Sequence, residues 1–112
     1  MKLTFRNTID GVSFPKELCE KDFTETEISK AFGLSLRKLR TNKKLSLNAL
    51  SEKIDIPNPT INRYENGINI PTITQAIKIT EFFNVSIEEM IFFGIIDENG
   101  EKITEYCKQR EN

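Results

Sequence analysis

Histidine and tryptophan are absent from these 112 residues, and cysteine occurs only at Cys19 and Cys107. Without imidazole, a nucleophilic serine or cysteine lacks its commonest base, so an enzyme is not expected. Two isolated cysteines provide neither a zinc-ligand set nor a disulfide framework, and no metal or cofactor is expected. Both thiols are read as reduced, in a cytoplasmic protein. No glycine-rich, phosphate-cradling loop occurs. No window approaches the roughly 20 apolar residues that span a bilayer, and the N-terminal stretch holds no apolar run preceded by positive charge. Neither membrane insertion nor secretion is therefore expected. What the chain does contain is the balance of a globular protein, with 38% apolar and 29% charged residues, in a length that suits one folded unit.

Apolar spacing divides the chain into helices. Thr24 and Glu27 form a capping-box pattern ahead of Ile28, Phe32, Leu36 and Leu39, which predicts a helix from about Ser29 to Lys43. Ser46 suits the N-cap of a second helix whose Leu47, Leu50 and Ile54 share one stripe and which stops near Ile54. Pro57 and Pro59 each disfavour the helical conformation in the residue before them. A third helix is predicted with Asn58 as cap and Pro59 as first residue, closing at Asn66-Gly67. Pro71-Thr72 opens a fourth, carrying Ile73, Ala76, Ile77, Ile79, Thr80 and Phe83, and Asn84 suits its left-handed end. Ser86 caps a fifth, through Ile87, Met90 and Ile91. The expectation is a small all-α domain from about 28 to 93, between an N-terminal extension (1–27) and a C-terminal tail (94–112).

Within it, Leu45 to Gly67 reads as two short helices joined by a tight turn, the unit that places a helix in the DNA major groove. Net charge supports that reading once it is split along the chain: it is -1 over residues 1–33, +4 over 34–67 and -4 over 68–112. The basic segment coincides with the two-helix unit, where phosphates would be met. On the third helix Ile61 faces inward and Tyr64 partly so, while Asn58, Thr60, Asn62, Arg63 and Asn66 face outward. Arg can hold guanine and Asn adenine through paired hydrogen bonds, which makes Arg63 and Asn58 the first candidates for base reading. Asn58 is equally readable as a simple cap. Lys43, Lys44, Ser46, Asn48 and Asn66 are candidate phosphate contacts, the lysines being equally readable as surface residues.

The chain also resembles a known family. Phe32-Gly33, Leu36-Arg37, Leu39-Arg40, Leu45-Ser46, Ala49-Leu50-Ser51, Ile61, Tyr64-Glu65-Asn66-Gly67, Pro71, Ile79, Asn84-Val85-Ser86-Ile87 and Met90 together resemble the Cro/C1-type helix-turn-helix family, also called the XRE family. The resemblance implies a five-helix, lambda-repressor-like domain in a transcriptional regulator that binds operator DNA as a dimer. It also implies base-reading positions at Asn58, Pro59, Thr60 and Arg63, and a structural ion pair between Arg40 and Glu65. Three residues depart from the family pattern. Leu47 stands where Gln is frequent and cannot touch phosphate. Pro59 offers only apolar contact, and Asp55 replaces the usual turn glycine.

Lys2 to Arg6 and Val12 to Phe14 alternate polar and apolar residues around a turn-rich link, which predicts a β-hairpin. Leu3, Phe5, Val12 and Phe14 would pack on the helical domain or on a second subunit. Phe92, Phe93, Ile95 and Ile96 form an apolar cluster that would complete the core or join two protomers. A short helix over 101–109 is a further expectation. The leading functional expectation is a homodimeric regulator of double-stranded DNA, a repressor inserting the helix from about 59 to 66. The alternative is an antitoxin-like or adaptor protein-interaction module on the same scaffold.

Overall fold

The first helix begins earlier than apolar spacing alone suggests, because the capping box itself sets the start. In the computed structural model, Thr24 Oγ1 accepts from the Glu27 backbone N–H at 3.2 Å and Glu27 Oε1 accepts from the Thr24 N–H at 3.1 Å. Helix α1 therefore runs Glu25–Asn42, and two otherwise orphaned donors are satisfied at its mouth. The structure describes residues 2–4, 8–9, 12–13 and 20–98, with side chains from 22 to 95. The expected helix over 101–109 and the side chains of Leu3, Phe5, Val12, Phe14 and Ile96 lie outside the described residues.

Four further helices follow: α2 Leu47–Ile54, α3 Asn58–Glu65, α4 Ile73–Phe83 and α5 Ile87–Glu98. Most ends follow from side chains that compete for the backbone. Ser46 accepts from Ala49 N–H at 3.0 Å and Thr72 from Gln75 N–H at 3.3 Å. Ser86 and Glu89 exchange two hydrogen bonds of 3.0 Å. Lys44, Asp55, Asn84 and Gly67 take left-handed conformations, φ 58, 54, 55 and 71°, at the helix exits. Asp55 thus stands in for glycine, at the modest cost such a residue pays there.

Three expectations need correction. The cap of α3 is Pro57 (φ -55°, ψ 139°), and Asn58 is its first helical residue with Pro59 after it. A following proline disfavours the helical region without closing it, and the Pro57 carbonyl accepts from Thr60 and Ile61 N–H at 3.0 and 3.1 Å. Helix α5 extends through Glu98, beyond both Ile91 and the expected boundary at 93. Phe92, Phe93 and Ile95, read as candidate interface residues, are buried in the single chain at 0, 1 and 7% exposure. They join a core with Leu36, Leu50, Ile56, Ile61, Ile79 and Met90, the first of the two roles expected for this cluster.

The N-terminal strands also pair differently. Strand β1 (Lys2–Thr4) lies antiparallel to β4 (Glu20–Asp22), with Leu3 opposite Lys21. Strands β2 (Thr8–Ile9) and β3 (Val12–Ser13) pair with Ile9 opposite Val12. The sequence between those two partners is Asp10-Gly11, a pair that favours the shortest hairpin connection. The expected partner of the Val12 strand, Lys2–Thr4, is thus paired with Glu20–Asp22 instead.

Two glycines set how closely α1 meets its neighbours. A Cβ on Gly33 would fall 2.9 Å from the Glu65 carbonyl oxygen and closer still to that of Tyr64. One on Gly94 would come within 2.6 Å of Ala31 Cα. Helices α3 and α5 thus lie against α1 backbone to backbone, with no side chain between them.

Candidate nucleic-acid interface

Helices α2 and α3 and the turn between them form the candidate interface. The turn is braced internally: Ser51 Oγ donates to the Ile56 carbonyl at 2.6 Å, and Ile56 is 1% exposed. Leu50 and Ile54 from α2 and Ile61 from α3 enter the core. Leu47 is half-buried and packs against that core. Its apolar side chain is therefore used inward, consistent with its inability to bond phosphate.

The outer face of α3 carries the side chains named from helical spacing. Pro59, Asn62, Arg63 and Asn66 are exposed, and Asn58 and Thr60 are half-buried. Asn58 does not fold back on its own helix; its Nδ2 donates to Oδ1 of Asn48 on α2. Two candidates assigned to different contacts, base and phosphate, are thereby joined across the turn. Asn66 Nδ2 donates to the Asn62 carbonyl at 2.8 Å and to Asn62 Oδ1 at 3.2 Å. Lys43 and Lys44 are exposed at the end of α1, and Ser46 and Asn48 are exposed where α2 begins. Of these polar candidates, Asn48 of α2 and Asn58 of α3 are brought into direct contact.

The rear of α3 is held by charge. Glu65 has a side chain only 1% exposed, and Arg40 (13% exposed) reaches it twice, Nε to Oε2 at 2.6 Å and Nη2 to Oε1 at 3.0 Å. Arg40 Nη1 donates to the Leu45 carbonyl at 2.8 Å, so the same side chain ties α1, the following turn and α3 together. Hydrogen bonding to Glu65 raises the pKa of Arg40, against a smaller opposing effect of burial. Paired geometry of this kind is the strong form of an Arg–carboxylate contact. Tyr64 donates to Oε1 of Gln75 on α4. Burial raises the pKa of its phenol, and a backbone hydrogen bond at Thr72 acts the other way. Ser29 Oγ donates to the Gly67 carbonyl at 3.2 Å, fixing the exit of α3 to α1.

One residue was missed from sequence. Arg37 donates from Nε to Glu65 Oε1 at 3.3 Å and from Nη2 to Asn66 Oδ1 at 3.0 Å. Its spacing of three from Arg40 puts both arginines on one face of α1, and that signal would have found it. Among the described residues no cluster of acidic, cysteine or histidine side chains is suited to hold a metal ion. No described helix is long and apolar enough to cross a membrane.

A buried two-helix scaffold with an exposed polar second helix defines a helix-turn-helix domain, in the all-α, lambda-repressor-like arrangement. Residues 36–90 match the helix-turn-helix family HTH_3, and the chain carries a Cro/C1-type (XRE-family) domain there. It is 37% identical over 59 residues to a putative HTH-type transcriptional regulatory protein of Methanoregula boonei, covering 53% of this chain and 18% of that one. It is 32% identical over 60 residues to the HTH-type transcriptional activator BcrR of Enterococcus faecalis, covering 54% of this chain and 29% of that one. The chain thus spans less than a third of the length of these curated relatives. Among solved structures, the DNA-binding domain of BldD from S. venezulae superposes with a TM-score of 0.51 at 29% identity, covering 57% of this chain and 96% of that one.

Proposed function

We propose that the protein is a DNA-binding transcriptional regulator that places α3 in the major groove of operator DNA. The observation that carries this reading is the division of α3 into a buried face and an exposed polar face. Ile61, Tyr64 and Glu65 are at most 6% exposed, whereas Asn62, Arg63 and Asn66 lie open. Arg63 and Asn58 read base edges, with Thr60, Asn62 and the apolar Pro59 beside them. Lys43, Lys44, Ser46 and Asn48 meet phosphates, aided by the positive end of α2. The regulator acts as a repressor, in the cytoplasm, and as a homodimer on half-sites about one helical turn apart. With Phe92, Phe93 and Ile95 enclosed in the core, Ile68, Ile70, Ile73, Ile77 and Ile87 are the exposed large apolar side chains left among the described residues for such pairing.

The same isoleucines, Ile73 at 80% exposure above all, favour a second reading, an adaptor that binds another protein. Fluorescence anisotropy against the DNA flanking the gene and a scrambled duplex, at two salt concentrations, separates the two. Salt-sensitive preference for the flanking DNA supports the regulator. No binding to either duplex at low salt overturns it and leaves the adaptor.

A further inference from the structure

We infer that Arg37 is a phosphate clamp at the rear of α3, a binding role that rests on the DNA-binding reading above. Glu65 needs only one arginine. Arg40 meets both of its oxygens, at 2.6 and 3.0 Å, and spends its remaining nitrogen on the Leu45 carbonyl. A second guanidinium on the same carboxylate leaves the cluster of Arg37, Arg40 and Glu65 with one positive charge in excess, carried by the more open member. Arg37 is 46% exposed against 13% for Arg40.

The orientation of that charge is set in advance. Nε of Arg37 is held by Glu65 at 3.3 Å and Nη2 by Asn66 Oδ1 at 3.0 Å, which pins one edge of the planar group. Nη1 has no protein partner among the described residues. A fork fixed on one edge and open on the other suits an anionic oxygen, and little side-chain entropy remains to be lost. Asn66, itself a phosphate candidate, already donates from Nδ2 to Asn62 at 2.8 and 3.2 Å, which leaves Arg37 the more open donor at this end. The C-terminal end of a helix carries partial negative charge, which repels a passing phosphate. A cation beside Asn66 offsets that repulsion where α3 would approach the DNA backbone.

The test is duplex affinity measured against salt for the wild type, Arg37→Gln and Arg37→Lys, on flanking and scrambled DNA, with thermal unfolding of each. The expected result is a loss of affinity for Arg37→Gln that is equal on both duplexes, and a salt slope lower by about 1. Arg37→Lys is expected to recover the slope without the full affinity, because lysine keeps the charge and loses the fork. An unchanged slope in a folded Arg37→Gln overturns the clamp while leaving the regulator intact. Loss confined to the flanking duplex also overturns it, by making Arg37 a residue that acts on sequence preference. A wild type that binds neither duplex overturns both readings. If Arg37→Gln does not fold, the Arg37 Nε–H resonance of the wild type decides: a shift on adding duplex supports the clamp, and no shift refutes it.

Discussion

The two ends of α3 are built on opposite terms. Its front is held by fewer side chains: Pro57 supplies no side-chain cap, Asn58 bonds sideways to Asn48, and Pro59 is exposed. Its rear is immobilised by the Gly33 contact, by Glu65 between two arginines, by the Tyr64–Gln75 bond and by the left-handed Gly67. A helix that must present side chains to a partner cannot spend them on its own scaffold. The rigidity it needs is therefore concentrated at the far end.

That contrast can be broken, first and most severely, at Gly33. Gly33→Ala forces a methyl against the backbone carbonyls of Tyr64 and Glu65 and is expected to cost roughly 3 kcal/mol or more, read as loss of cooperative unfolding in circular dichroism. Next comes Glu65→Gln, which leaves Arg40, 13% exposed, without its carboxylate. About 2 to 3 kcal/mol of stability is expected to go, measured by denaturant titration. The exposed face answers differently. Arg63→Ala should leave unfolding within about 0.5 kcal/mol of wild type yet lower operator affinity by roughly 1 to 3 kcal/mol and relax one base preference. Equal losses on operator and random DNA would place Arg63 on phosphate instead.

The smallest effect is expected from Tyr64→Phe, which removes one hydrogen bond to Gln75, worth about 1 kcal/mol. Its sharper signature is in pH. Because the folded state holds the Tyr64 proton more tightly than the unfolded chain does, the associated stability is complete below about pH 10, the ordinary tyrosine value. It is lost as pH rises through the higher folded-state value. Denaturant midpoints should fall above that pH more steeply in the wild type than in Tyr64→Phe.

Much of this was legible in residue types that act locally. Thr24 with Glu27, Ser46, Thr72, Asn84 and Gly67 stop or start helices through their own hydrogen bonds or φ angles, and each could be read without tertiary context. Arg40 and Glu65 were found by resemblance, because their sequence separation carries no local signal. The misreadings share one cause. Whether Asn58 caps its own helix or reaches Asn48 depends on a neighbour ten residues away. Whether Phe92 and Phe93 face a core or a partner depends on where α1 lies. The pairing of Lys2–Thr4 with Glu20–Asp22 is likewise a long-range choice that alternation cannot make.

Ala31 and Gly33 stand two residues apart on α1, about 200° around its axis, and each is the point at which another helix lies in backbone contact, α5 at Ala31 and α3 at Gly33. Side chains in a core can yield by changing rotamer, but main chain against main chain has no such slack. Helix α1 thus works as a common axle with a bearing on either side. With main chain against main chain on both sides, neither α5 nor α3 has room to shift across α1 without moving α1 itself.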